Sequence, residues 1–171
     1  MTPERRRAIA LWGLALCLFT SAVSWMLMRF GSIWTEFEFD DTKYHSWVMS
    51  GYIVCEVAVM PLAGKFIDRV GGKRVLVVGT YLFIGGAICC ALVNSMNMLV
   101  FSRMLQGVGA GFVFATALSM VGIMYPREDR GKPHELMTAA FAFGSLYGAA
   151  IGWWFVDNLD WRWTFVMTAA L

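Results

Sequence analysis

Two ionisable side chains interrupt long apolar stretches of this 171-residue chain, Glu56 in one and Arg103 in another. An ionisable group at the middle of a bilayer costs about 2.5–3.5 kcal/mol on insertion scales, so such residues usually face a cavity or a partner. Gln106 follows Arg103 by one helical turn and shares its face. Read as chemistry, Glu56 could load and release a proton, and Arg103 could attract an anion. The plainer readings are a static Glu56–Arg103 ion pair, a protonated Glu56 bonded to a neighbouring helix, or an Arg103 that snorkels to the headgroups.

The elements that must position these residues are apolar runs over 8–28, 47–63, 75–93, 98–124 and 136–156, with a sixth beginning at 163 and continuing to 171. A helix that crosses the hydrocarbon needs about 20 such residues. The runs lack the two-residue alternation of a barrel strand, and an open strand in lipid leaves its backbone groups unsatisfied. The chain is 58% hydrophobic and 15% charged, against about 45–50% apolar and about 25% charged in soluble domains, which argues against a buried soluble bundle. Disorder is excluded by the high apolar content and the net charge of only +2. The basic residues stand in short clusters between the runs, so no nucleic-acid partner is expected. The expected fold is therefore an all-α membrane protein, a bundle of five full transmembrane helices and the start of a sixth. Glu56 lies about 14 Å and Arg103 about 8 Å into their spans, depths that two long side chains can bridge if their helices share a face.

Placing the N-terminus in the cytoplasm puts Arg5, Arg6, Arg7, Lys65, Arg69, Lys73, Arg74, Arg127, Arg130 and Lys132 inside, ten of the fourteen basic residues. Glu36, Glu38, Asp40, Asp41, Asp157 and Asp160 then fall outside, opposed by Lys43 and Arg162. Trp34, Trp47, Trp153, Trp154, Trp161 and Trp163 all fall near the outer boundary, as an aromatic belt does. Arg29 at the outer end of the first run reads as a snorkelling anchor. The basic start and Ser21-Ala22-Val23 resemble a cleaved leader, but the run exceeds the usual apolar core of one, and it is read as a retained helix. Cys17, Cys55, Cys89 and Cys90 all lie in apolar runs, so no disulfide framework is expected. His45 and His134 fall on opposite sides and match no metal-ligand spacing. No nucleophile–base pair or phosphate cradle is present, so neither enzymatic activity nor a cofactor is expected.

Between the second and third runs, 64–74 reads as a short cytoplasmic loop that makes those runs antiparallel neighbours. It carries Gly64, Asp68, Arg69, Gly71, Lys73 and Arg74. Asp68 contributes little to orientation, so its expected role is a specific pair or a helix-end contact. Gly107 and Gly111 in the fourth run, and Gly144, Gly148 and Gly152 in the fifth, form small-residue strips suited to close helix packing or to a sliding surface.

The pattern G-x-x-x-D-R-x-G-x-[KR]-[KR] across 64–74 resembles the signature loop of the major facilitator superfamily. The stretch 99–111, with Arg103, Gln106 and its glycines, is similar to the family's fourth-helix motif. Asp160-Trp161-Arg162-Trp163-Thr164-Phe165 is similar to the outer turn before its sixth helix. The look is nearest to the 14-helix drug:proton antiporters. There are two departures: Gly148-Ala149 and Gly152-Trp153 stand where that group has Gly-Pro and Gly-Gly, and the first run has Ser21–Ser24 where it carries an acid.

The resemblance implies the N-terminal half of a secondary transporter in the cytoplasmic membrane. Its C-terminal half would follow beyond this chain, and substrate would bind between the halves. It implies that Arg103 and Gln106 line the substrate cavity, a place also given to Glu56 from its depth alone, and that 64–74 forms a cytoplasmic gate. The expected partners are the bilayer, a small organic solute and protons. Proton-coupled export by alternating access leads; uptake of an organic anion drawn by Arg103 and Arg29 is the alternative. A non-transporting helical scaffold or remnant is the reading from another class.

Overall fold

The computed structural model describes residues 3–39, 42–158 and 161–170. Asp40, Asp41, Asp160 and Leu171 lie outside the described residues, as do the side chains of Arg6, Trp34, Glu36, Glu38, Lys43 and Asp157. Each apolar run becomes a helix, because a helix satisfies its backbone groups within the segment. The order is α1 (Pro3–Phe39), α2 (Thr42–Val70), α3 (Gly72–Ala91), α4 (Met96–Met124), a 3-10 turn (Arg127–Asp129), α5 (Gly131–Asn158) and α6 (Arg162–Ala170). The first five are long and apolar enough to cross a membrane. Among the described residues there is no strand.

Most helices overrun the apolar stretches that announce them, although α3 stops at Ala91, short of its run. Hydropathy marks where lipid touches the chain, whereas the backbone ladder continues until something breaks it. The clearest case is 64–74, which the sequence presents as a loop. It is helical on both sides of one residue, Gly71, whose φ of +88° is closed to most L side chains. The Gly71 N–H donates to the Ile67 carbonyl at 3.0 Å as α2 ends, and the Val75 N–H donates to the Gly71 carbonyl at 3.4 Å as α3 begins. At the other end of α3, Ser95 caps α4, its hydroxyl accepting from the Met98 N–H at 3.4 Å.

Such a tight turn predicts that α2 and α3 are antiparallel neighbours, and they are in contact, though both pack chiefly on α4, while α1 runs along α5. Glycine placement explains this. A methyl group at Gly107 would meet the Tyr52 carbonyl of α2, and one at Gly111 would meet the Glu56 carbonyl. Gly109, whose neighbour is the Phe83 backbone, serves the α3 side. Gly144 and Gly148 bring α5 equally close to the Phe19 and Val23 carbonyls of α1, and Gly152 is buried. Without a hydrophobic drive between helices in lipid, such close approach is a main source of cohesion. The two glycine strips thus lie inside this bundle.

Outward faces are apolar: Val54, Phe101, Ile123, Phe143 and Leu146 are all exposed. Trp47, Trp153, Trp154 and Trp163 are exposed at the aromatic end. Trp161 differs from the expected belt. It is buried in a cluster with Met28, Val48, Val93 and Phe165, and Arg162 stacks on its ring at 4.6 Å.

Candidate functional site: a buried arginine beside a carboxylate-lined cavity

Arg103 is 0% exposed. Its Nη1 donates to Gln106 Oε1 at 2.6 Å, one turn along α4. Gln106 Nε2 in turn donates to Ser24 Oγ of α1 at 3.2 Å. The guanidinium carbon lies 4.3 Å from the Tyr52 ring centroid and 6.0 Å from that of Phe165. Neither Nε nor Nη2 has a hydrogen-bond partner among the described residues. Snorkelling is therefore not what Arg103 does here. The close α2–α4 approach at Gly107 brings the Tyr52 ring over the guanidinium, and the approach of α3 at Gly86 seals the Gln106 backbone.

The energetics of this arrangement are adverse for simple stability. A desolvated cation–π contact returns roughly 2 kcal/mol and a charge-assisted hydrogen bond about 1.5–3 kcal/mol. Against these stand the desolvation of a full charge, several kcal/mol, and two donors left unpaired. An apolar side chain of similar volume would serve the fold as well.

Glu56 lies one turn beyond Tyr52 on α2 and is half-buried. It faces a cavity of about 250 Å³ lined by Ser21, Trp25, Tyr52, Ile53, Glu56 and Phe141. The cavity exists because α1 packs along α5 and α2 along α4, so α1 and α2 share little surface. No ion pair joins Glu56 to Arg103 among the described residues; Tyr52 covers the cation while lining the cavity. Glu56, Arg103 and Gln106 are thus sorted into two layers. Glu56 opens on the cavity, whereas Arg103 and Gln106, both fully buried, lie behind its wall.

Of the residues expected at the gate, Gly64, Asp68 and Arg69 end α2, and Lys73 and Arg74 open α3 on either side of Gly71. The four charged side chains are exposed. None of them forms an ion pair among the described residues, so any partner for Asp68 must come from elsewhere.

Tyr52 was not singled out in the sequence, and Ser24 and Phe165 stood there only within motif comparisons. Tyr52 carries one available signal, its i, i+4 spacing to Glu56, which puts both on one face of α2. Arg130, read only as a topology marker, also has a specific post. Its Nε donates to the Tyr125 carbonyl at 3.0 Å and its Nη2 to the Gly122 carbonyl at 2.6 Å, capping the C-terminus of α4. A cation there satisfies orphan carbonyls and complements the helix dipole. Arg130→Met should therefore destabilise the bundle by about 1.5–3 kcal/mol, read as a lowered thermal midpoint in detergent. An unchanged midpoint would contradict the capping role.

The arrangement defines a multi-span helical membrane protein with a fully buried arginine in its core. The chain belongs to the Major Facilitator Superfamily, whose family model matches residues 11–171. An uncharacterised MFS-type transporter of Mycobacterium tuberculosis is 37% identical, over 75% of this chain and 19% of that protein. The multidrug transporter protein MdtP of Bacillus subtilis is 27% identical, over 95% of this chain and 30% of that protein. The multidrug export protein EmrB of Haemophilus influenzae is 28% identical, over 74% of this chain and 25% of that protein. The chain thus spans a third or less of these curated relatives.

Proposed function

We propose that this chain acts as the N-terminal half of a secondary transporter in the cell membrane, with its N-terminus in the cytoplasm, exporting a small organic solute against an inward flow of protons. The observation that carries the reading is the fully buried Arg103, hydrogen-bonded to Gln106 and covered by Tyr52. A charge kept in the core with two unpaired donors suits a bundle that must exchange partners as it changes state. The outward direction rests on relatives named for multidrug export.

Arg103 and Gln106 reach the solute path when Tyr52 moves, and Glu56 meets it directly. Asp68, Arg69, Lys73 and Arg74 latch the cytoplasmic end against the C-terminal half. That accounts for four exposed charges without an ion pair within the described residues.

The test uses the whole protein from its natural reading frame in proteoliposomes. Solute-dependent proton movement is followed with a trapped pH dye. Asp68→Asn should insert normally and lower the coupled flux by about tenfold, the equivalent of one lost charge-assisted contact of about 1.4 kcal/mol in the latched state. Wild-type flux in that variant would overturn the latch, and absence of any coupled flux in the wild type would overturn the carrier.

A further inference from the structure

The six helices fall into two groups. α1 runs along α5, whereas α2 and α3 both pack on α4, and α6 packs on α3. Contact between the groups is sparse, and three cavities lie along the seam. One is the cavity of about 250 Å³ beside Glu56. A second, of about 680 Å³, lies between Arg7 and Leu11 of α1, Tyr125 at the end of α4, and Leu136 of α5. The third, of about 110 Å³, is lined by Cys17 and Ser21 of α1, Phe83 of α3, Val113 of α4 and Thr168 of α6. A close-packed interface resists sliding, whereas one interrupted by voids has fewer contacts to lose.

Across this seam Gln106 Nε2 of α4 donates to Ser24 Oγ of α1 at 3.2 Å. Both residues are buried, with 2% of Ser24 and 0% of Gln106 exposed. The polarity of the bond is forced. An arginine side chain carries donors alone, so Gln106 must turn its Oε1 to Arg103 Nη1, at 2.6 Å. The amide Nε2 then faces α1 and requires an acceptor, which Ser24 supplies. Without that acceptor Nε2 would be a buried donor lacking a partner, and the amide would turn from Arg103 to find one. Ser24 thereby acts on a guanidinium with which it shares no hydrogen bond among the described residues.

We infer that Ser24 is a positioning residue whose hydroxyl holds the Gln106 amide oxygen on Arg103. Sliding of the α1–α5 pair against α4 breaks that hold and frees the arginine for a new partner. The inference rests on the carrier reading and deepens it by naming the contact that times the exchange of partners.

The test uses the whole protein in everted vesicles, with Cys17, Cys55, Cys89 and Cys90 replaced by alanine and Lys65→Cys introduced. The probe is a membrane-impermeant maleimide. Lys65 is exposed at the end of α2, and the labelling rate there reports which state prevails. The Ser24–Gln106 bond is made in the state shown here. Its loss should shift the ratio of the two states by about three- to tenfold, the weight of one neutral hydrogen bond. Ser24→Ala should therefore change the rate measured without a proton gradient. Ser24→Thr, which keeps the hydroxyl, should return it toward wild type. In a Gln106→Leu background Ser24→Ala should change nothing further, because the bond is already gone.

An unchanged rate in Ser24→Ala, or an equal change in both backgrounds, overturns the positioning role and spares the carrier. So does a Ser24→Thr protein with a wild-type thermal midpoint and the rate of Ser24→Ala. A wild-type rate indifferent to an imposed gradient overturns the carrier, and the timing role with it. Midpoints in detergent identify any variant that has simply lost its fold. Should Ser24→Ala do so, Ser24→Cys, of similar size but a weak acceptor, takes its place.

Discussion

Arg103→Met is expected to fold, to melt at the same temperature as the wild type or above it, and to transport about 10- to 100-fold more slowly. The two halves of that expectation come from one geometry. The guanidinium is fully buried and keeps two donors without hydrogen-bond partners among the described residues. Replacing a buried charge by a well-fitting apolar side chain is commonly neutral or stabilising by about 1–4 kcal/mol. Methionine approximates the arginine stem and can rest against Tyr52 and Phe165. What it cannot do is hold Gln106 Oε1 or take a new partner when the bundle changes state. Arg103→Lys keeps the charge but not the planar fork, so it too should fall well below wild-type flux. Thermal unfolding in detergent together with flux in proteoliposomes checks both halves. Wild-type flux in Arg103→Met would remove the residue from the mechanism, and a collapsed fold would show that it is structural after all.

The second large effect concerns the α2–α4 contact. Gly107→Val and Gly111→Val each place a branched side chain against α2 backbone, at the Tyr52 and Glu56 carbonyls respectively. Backbone cannot rotate aside as a side chain can, so α2 must move off α4. Overpacking of this kind costs about 1–3 kcal/mol per site, and the pair together should leave little folded protein. The displacement would also lift Tyr52 from Arg103 and open the cavity wall, so flux should fall further than stability in the single variants. Gly64→Ala is the control, because a methyl group there meets nothing within 4 Å. Thermal midpoints of the four proteins check the ordering, and a tolerant Gly107→Val would contradict the packing.

Much of this architecture was legible in the sequence, for a physical reason. Apolar runs near 20 residues have few fates, and those of this chain all became helices. Three features escaped. Residues 64–74 looked like a loop because charges and glycines crowd it, yet only Gly71 leaves the helical backbone. Hydropathy senses the solvent, not the hydrogen-bond ladder. The main helix pairings were not legible, because a short turn makes α2 and α3 neighbours while glycine positions on α4 decide which backbones meet most closely. The layering of Glu56 and Arg103 was invisible because depth along a helix says nothing of azimuth between helices. Tyr52 separates the two, and no spacing within α4 announces a residue of α2.

The central claim is that the turn between α2 and α3 closes the cytoplasmic end of a carrier that alternates between two states. Residue 65, exposed at the same end of α2 but outside the latch charges, reports on it directly. Lys65→Cys is made in the whole protein, with Cys17, Cys55, Cys89 and Cys90 replaced by alanine, and labelled with a membrane-impermeant maleimide in right-side-out and everted vesicles. The account predicts labelling only in everted vesicles, at a rate that changes severalfold when a proton gradient is imposed and reverts when it is dissipated. Labelling from the outer face, or a rate indifferent to the gradient, would contradict it.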